Sequence, residues 1–217
     1  MWGKEFGPSV KESTVTMDGT RVTRAERQAQ TRERLVEVAR ELFLEVGYAA
    51  TSLDKVAATA GFSKGAVYSN FSGKEELCLA VLDTIHAEQT EAVLEAFSGD
   101  TDLDSRIDAF VDWARTGLGR PRWTALEVEL GAVARHSPYV ASELVKRHRQ
   151  MVDAVTMLVE RVAGQEDIEL AMPAREAATT LLSLGIGMGA LRSLDPGIDV
   201  QVFAKAMRTL IRTTTRT

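Results

Sequence analysis

TSLDKVAATAGFSKGAVYSNFSGKEEL, residues 51–77, is the stretch whose reading decides the fold. Thr51 with Asp54 reads as the cap of a short helix whose inner face is Leu53, Val56, Ala57 and Ala60. Gly61 supplies the backbone freedom for a sharp turn. Ser63 caps a second helix, Lys64 to Phe71, and Ser72 with Glu75 opens a long one that reaches Phe97. Two short helices joined by a glycine turn, with a third following at once, have the layout of a helix-turn-helix. That motif lays its second helix in the DNA major groove.

Upstream, Thr23 and Glu26 form a capping-box pair. Leu35, Val38, Ala39, Leu42, Phe43 and Val46 then repeat at helical spacing until Gly47 ends the helix. Residues 1–22 mix Gly, Ser, Thr, Lys and Glu without periodicity and read as a disordered tail. Downstream, the punctuation predicts helices from Asp102 to Leu118, Pro121 to Arg135, Pro138 to Ala163 with a stop at Gly164, Pro173 to Leu194, and Asp199 to Ile211. No window alternates as a strand would. The expected class is all-α, with about nine helices: residues 23–73 as a three-helix unit and 74–217 as a larger helical body.

The 217 residues are 45% hydrophobic, enough for a core, and no apolar run is expected to reach membrane-span length. The N-terminus lacks the apolar segment of a secretory signal. The single cysteine, Cys78, permits no internal disulfide and fits a reducing cytoplasm. A net charge of −5 looks wrong for a nucleic-acid binder, but its distribution is uneven. Arginines 21, 24, 27, 32, 34 and 40 face only glutamates 26, 33 and 37 between residues 21 and 40. A phosphate footprint needs a local basic face rather than a basic protein.

On the second short helix, Phe62, Val67 and Phe71 are the residues able to anchor it to the core. Ser63, Lys64, Gly65, Ala66, Tyr68, Ser69 and Asn70 are left toward solvent. Gly65 and Ala66 let the backbone approach base edges and thymine methyls. Lys64 and Asn70 can donate to bases, and Tyr68 to a phosphate. Lys74 sits at a helix N-terminus suited to a phosphate, as do Thr51 and Ser52. Each position has an ordinary alternative: Tyr68 as a core residue, Asn70 as a partner for nearby backbone, and Arg21 and Arg24 as solvated charges.

The stretch LFLEVGYAATSLDKVAATAGFSKGAVYSNFSGKEELCLAVL, residues 42–82, resembles the TetR family of bacterial transcriptional regulators. The resemblance rests on the glycine-aromatic turn, the Thr-Ser start, A-x-x-A-G, Ser-Lys-Gly, Tyr before Asn-Phe, and the Gly-Lys-Glu-Glu-Leu exit. It implies that Ser63, Lys64, Gly65, Tyr68, Asn70 and Lys74 lie at a DNA surface, and that the body after residue 77 binds an effector and dimerises. The expected function is a homodimeric regulator, most readily a repressor, released from a palindromic operator by a small apolar ligand. An activator or architectural DNA binder of the same fold, and more distantly an enzyme or protein-interaction module, are the alternatives.

Within the body, Phe110, Trp113, Trp123, Leu126, Leu130, Met151, Val155 and Leu158 are candidate pocket residues, with Glu127, Glu129, Arg115 or His148 for polar contact. Ordinary core packing is the competing reading of each. Leu181, Leu184, Gly185 and Met188, with Phe203, Met207, Leu210 and Ile211, are expected to build a two-fold helical interface, against packing inside one subunit. Gly185-x-Gly187-x-x-Ala190 matches a loose dinucleotide fingerprint but falls in mid-helix, where that fingerprint has no phosphate-facing turn. No nucleophile–base grouping is recognisable, and His86, His136 and His148 lack ligand-spaced partners. No metal, cofactor or catalytic role is expected.

Overall fold

Thr23 starts the first helix as its sequence predicts: its hydroxyl accepts from Glu26 N at 3.2 Å, and the Glu26 carboxylate accepts from Thr23 N at 2.6 Å. The computed structural model describes residues 23–99 and 101–210. The expected tail 1–22, with Arg21, and Ile211 lie outside the described residues. The described part folds into nine helices and no strand: α1 Arg24–Ala50, α2 Leu53–Ala60, α3 Lys64–Tyr68, α4 Lys74–Ala96, α5 Leu103–Gly117, α6 Pro121–Ala134, α7 Pro138–Gln165, α8 Ala174–Leu194 and α9 Gln201–Leu210.

The helix boundaries follow local chemistry, and four of them correct the sequence reading. The cap of α2 is Ser52, whose hydroxyl accepts from Lys55 N, because the Thr51 hydroxyl is turned inward onto Gly47 O at 2.9 Å. Helix α3 stops at Tyr68 rather than Phe71, since the Asn70 amide takes the Ala66 carbonyl and the chain tightens into a turn. At α4 the partner of Ser72 is Glu76, which accepts from both its N–H and its hydroxyl at 2.8 Å; Glu75 is engaged instead by the Ser137 hydroxyl. Helix α7 runs through Gly164 and ends where Asp167 adopts a left-handed φ of 51° and Ile168 N reaches back to Ala163 O. Asp tolerates that conformation by local hydrogen bonding, so glycine is not needed there.

Two apolar clusters organise the molecule. The first joins α1, α2 and α3 to the N-terminal half of α4, to α6 and to the start of α7, around Leu35, Phe43, Phe71, Leu82 and Leu130. The second joins the end of α4 to α5, the later part of α7, α8 and α9, around Ile107, Phe110, Val162 and Phe203. Only α4 and α7 run through both clusters. Cys78 is fully buried in the first cluster, where burial pushes its thiol up to about 12. A neutral, enclosed thiol is a small core residue rather than a reactive one.

The expectation that no segment reaches membrane-span length meets one exception. Helix α8 is 21 residues long, holds an 18-residue stretch with a mean hydropathy of 1.2, and passes that test by length and composition alone. It nonetheless packs along α7, α6 and α9.

In the last turn of α1 the backbone breaks at Gly47, with φ 87° and ψ 165°. L-residues rarely adopt this combination, and a Cβ there would meet the Glu129 carboxylate of α6 at 3.1 Å. The same carboxylate accepts from Ala49 N at 3.2 Å, so α6 grips the link that leads into α2. Gly47→Ala is expected to lower unfolding stability by about 1–3 kcal/mol, read from the shift of a urea midpoint at unchanged slope.

Candidate nucleic-acid interface

Helix α3 has only five residues, too few to persist without tertiary support. Its presentation depends on the turn before it and on the residues beneath it. Gly61 adopts φ 74° and ψ 23°, Phe62 N reaches Ala57 O at 2.9 Å, and Gly61 N reaches Ala58 O at 3.3 Å. This double closure ends α2 and turns the chain sharply. The Ser63 hydroxyl then accepts from Ala66 N at 3.2 Å and starts α3.

From beneath, Val67 and Phe71 are sealed in the first cluster, while Phe62 is half-buried against it. Arg32 of α1 closes the far end: it donates to Asn70 O at 2.5 Å, lies over the Phe71 ring at 4.1 Å and pairs with Glu76 at 3.7 Å. No local spacing signals this role, because Arg32 and Asn70 are 38 residues apart. It withdraws one arginine from the cationic run into a structural clamp.

With those residues turned inward, α3 presents Ser63, Lys64, Gly65, Tyr68 and Ser69 to solvent, and Ala66 is half-exposed. Tyr68 is 59% exposed, which excludes the core reading of that residue. Asn70 is half-buried with its amide on Ala66 O, so it serves nearby backbone. Thr51 is corrected outright: it is 2% exposed and cannot reach a phosphate. Ser52 is exposed at the start of α2, beside Lys55, a surface cation overlooked in the sequence. Arg24 is exposed at the start of α1.

At α4 the cap position is Gly73, and no side chain closes the helix end. Its free N–H groups and the helix dipole favour an anion there. Lys74 is partly withdrawn, with Nζ 3.2 Å from Ala49 O and 4.2 Å from the Tyr48 ring centroid. Burial lowers its pKa, opposed by the negative charge of nearby Glu129.

The candidate pocket residues do not form one site. Trp123, Leu126 and Leu130 belong to the first cluster, whereas Phe110, Trp113, Val155 and Leu158 belong to the second. The reason is that α6 packs on α1, away from α5. Of the polar candidates, Glu127 bridges to His86 Nε2 at 2.9 Å, Glu129 holds the Gly47 link, Arg115 pairs with Asp112 at 2.6 Å, and His148 is exposed. An open groove of about 720 Å³ lies at the α7–α8 turn, floored by Ile168, Leu170 and Met172, and none of the candidate pocket residues lines it. No metal-ligating cluster occurs among the described residues.

The proposed interface residues also need correction. Leu181, Met188, Phe203 and Met207 are buried within one subunit, and Leu184, Gly185 and Leu210 are half-buried against the same cluster. A Cβ on Gly185 would lie 3.5 Å from the Phe203 ring, an ordinary contact, so this position faces α9 of the same chain.

A short capped helix, locked from below and exposed on its outer face beside an uncapped helix N-terminus, has the layout of a helix-turn-helix, the unit with which DNA-binding regulators enter the major groove. Comparison with known proteins agrees. Residues 35–81 match the family described as bacterial regulatory proteins, tetR family. The transcriptional activator FasR of Mycolicibacterium smegmatis is 33% identical over 172 residues, covering 77% of this chain and 73% of that protein. The transcriptional repressor AcnR of Corynebacterium diphtheriae is 29% identical over 135 residues, 61% of this chain and 65% of that protein. A TetR/AcrR-family regulator from Thermobifida fusca superposes with a TM-score of 0.56 at 30% identity, covering 86% of this chain and all of that one. The chain belongs to the TetR family.

Burial separates the two faces of α3 experimentally. Tyr68→Ala is expected to change stability by no more than about 0.5 kcal/mol, whereas Phe71→Ala should remove about 3–5 kcal/mol. Thermal and urea unfolding of the two variants checks both values.

Proposed function

We propose that this regulator reads DNA through Lys64, Gly65, Ala66 and Tyr68, with Ser52, Ser63, Ser69, Lys74 and Arg24 positioning it on phosphates. The observation that carries this reading is the division of α3 into sealed Val67 and exposed Lys64, Gly65 and Tyr68. Residues 23–73 act as the reading head and residues 74–217 as the body, working in the cytoplasm as a homodimer on a roughly palindromic operator. The apolar face of α8 left exposed, Ile186, Leu191 and Leu194 at 55%, 57% and 86%, alternates with exposed Gly187 and Ala190. Such a face suits close packing against its own copy.

Repression is the reading of choice, relieved when a small apolar ligand enters the body and shifts α4, which starts directly at the reading head. The ligand acts only by favouring the arrangement that fits DNA less well. Activation is the second reading, favoured by the name of the relative FasR. Transcription from a promoter carrying the selected site, with and without the protein, separates the two.

An operator selected from a random duplex pool should bind with an affinity that falls steeply with salt, as phosphate contacts require. Lys64→Ala is expected to weaken it at least tenfold without altering helicity; fluorescence anisotropy reads the change, and unaltered affinity would refute the assignment. Leu191→Glu should convert a dimer into a folded monomer in sedimentation velocity. A wild-type chain that sediments as a monomer would refute the α8 interface.

A further inference from the structure

The reading head carries an acidic residue where a phosphate binder has least use for one. Asp54 lies in the first turn of α2, and its Oδ2 is 2.6 Å from Nζ of Lys64, the first residue of α3. Both side chains are more than half exposed, 67% for Lys64 and 53% for Asp54. The pair therefore stands at the outer face rather than in the core, and an exposed pair of this kind adds little to stability. Its position gives it another consequence. The ammonium at the start of α3 already has an anion against it, held by the neighbouring helix across the Gly61 turn.

We propose that Asp54 is a specificity-determining residue that holds Lys64 back from loosely docked DNA and yields it only to a closely fitted site. This rests on the assignment of α3 as the reading helix. Binding without sequence preference comes almost entirely from lysines and arginines neutralising phosphates and releasing counterions. A lysine already partnered by a carboxylate contributes less to that term. Base-edge acceptors such as guanine O6 and N7 compete at short range, where contact geometry is fixed, and only a matching sequence presents them. Asp54 thus penalises wrong sequences more than right ones, and specificity is this difference. The Asp54 carboxylate also raises the Lys64 pKa, so the lysine it holds stays charged.

The test uses the full-length protein, its selected operator duplex, and a scrambled duplex of equal length. Asp54→Asn is expected to raise affinity for the scrambled duplex about three- to tenfold, with less gain on the operator. The slope of log affinity against log salt on the scrambled duplex should steepen by about 0.9, one additional phosphate contact. Asp54→Glu, which keeps the carboxylate, should retain the wild-type ratio of the two affinities. In a Lys64→Gln background, Asp54→Asn should leave both the slope and the scrambled affinity unchanged.

An equal gain in both backgrounds would overturn the proposal, because Asp54 would then merely repel DNA as a general negative charge. No gain from Asp54→Asn in the wild-type background would overturn it as well. So would a parallel loss on both duplexes with a lower melting temperature, the mark of a purely structural first-turn residue. Failure of the wild-type protein to bind any duplex is a distinct result: it removes the reading-helix assignment and this inference together.

Discussion

Burial of Val67 and Phe71 is the interaction on which the rest depends. A helix of five residues cannot pay for its own nucleation, and in water it would melt. Here Val67 of the helix and Phe71 just beyond it are sealed in the cluster shared with α1 and α2, and a capped turn leads into the helix. The outer face is thereby set without any of its own side chains contributing to the packing. Gly65 is consistent with this: it would weaken an isolated helix, and it is tolerated because stability is supplied from below.

The head is not an independent bead on a string. Glu129 of α6 accepts from Ala49 N, Lys74 of α4 reaches Ala49 O, and Arg40 of α1 forms a two-pronged pair with Glu88 of α4. Arg147 of α7 in turn holds Asp83 of α4 at 2.7 Å. The first apolar cluster likewise takes in α6 and the start of α7. Packing is thus continuous from the exposed face of α3 into the body, and the link after Gly47 is tied to two body helices at once. Movement of α4 or α6 relative to α1 must strain or release that link.

What the sequence made legible was whatever is decided within a few residues. Thr23, Ser63 and the Gly61 turn declare themselves by short-range hydrogen bonding, and the structure carries each one out. The structure departs from the sequence reading where two local candidates compete and a third group decides. Thr51 lost the cap to Ser52 because Gly47 O was available behind it, and Glu75 lost Ser72 to Glu76 because Ser137 claimed it. The helices of the body were legible, but their faces were not. An α8 apolar on most sides gives no periodic hint of which stripe meets α9, so the sequence points to Leu181 and Met188 for the subunit interface whereas the structure buries them and exposes Leu191 and Leu194. The pocket residues scattered for the same reason: adjacency in sequence says nothing about α6 choosing α1 over α5.

Helix α4 is one uninterrupted rod of 23 residues, open at the Gly73 end and finishing at Phe97 inside the second cluster. At 1.5 Å per residue such a rod is about 34 Å long. Pivoted at one end, it needs a swing of only about 5° to carry the other through about 3 Å, close to the 3.4 Å rise between neighbouring bases on a strand. A rigid strut of this length turns a sub-ångström rearrangement near its hinge into a mismatch of one step on the double helix.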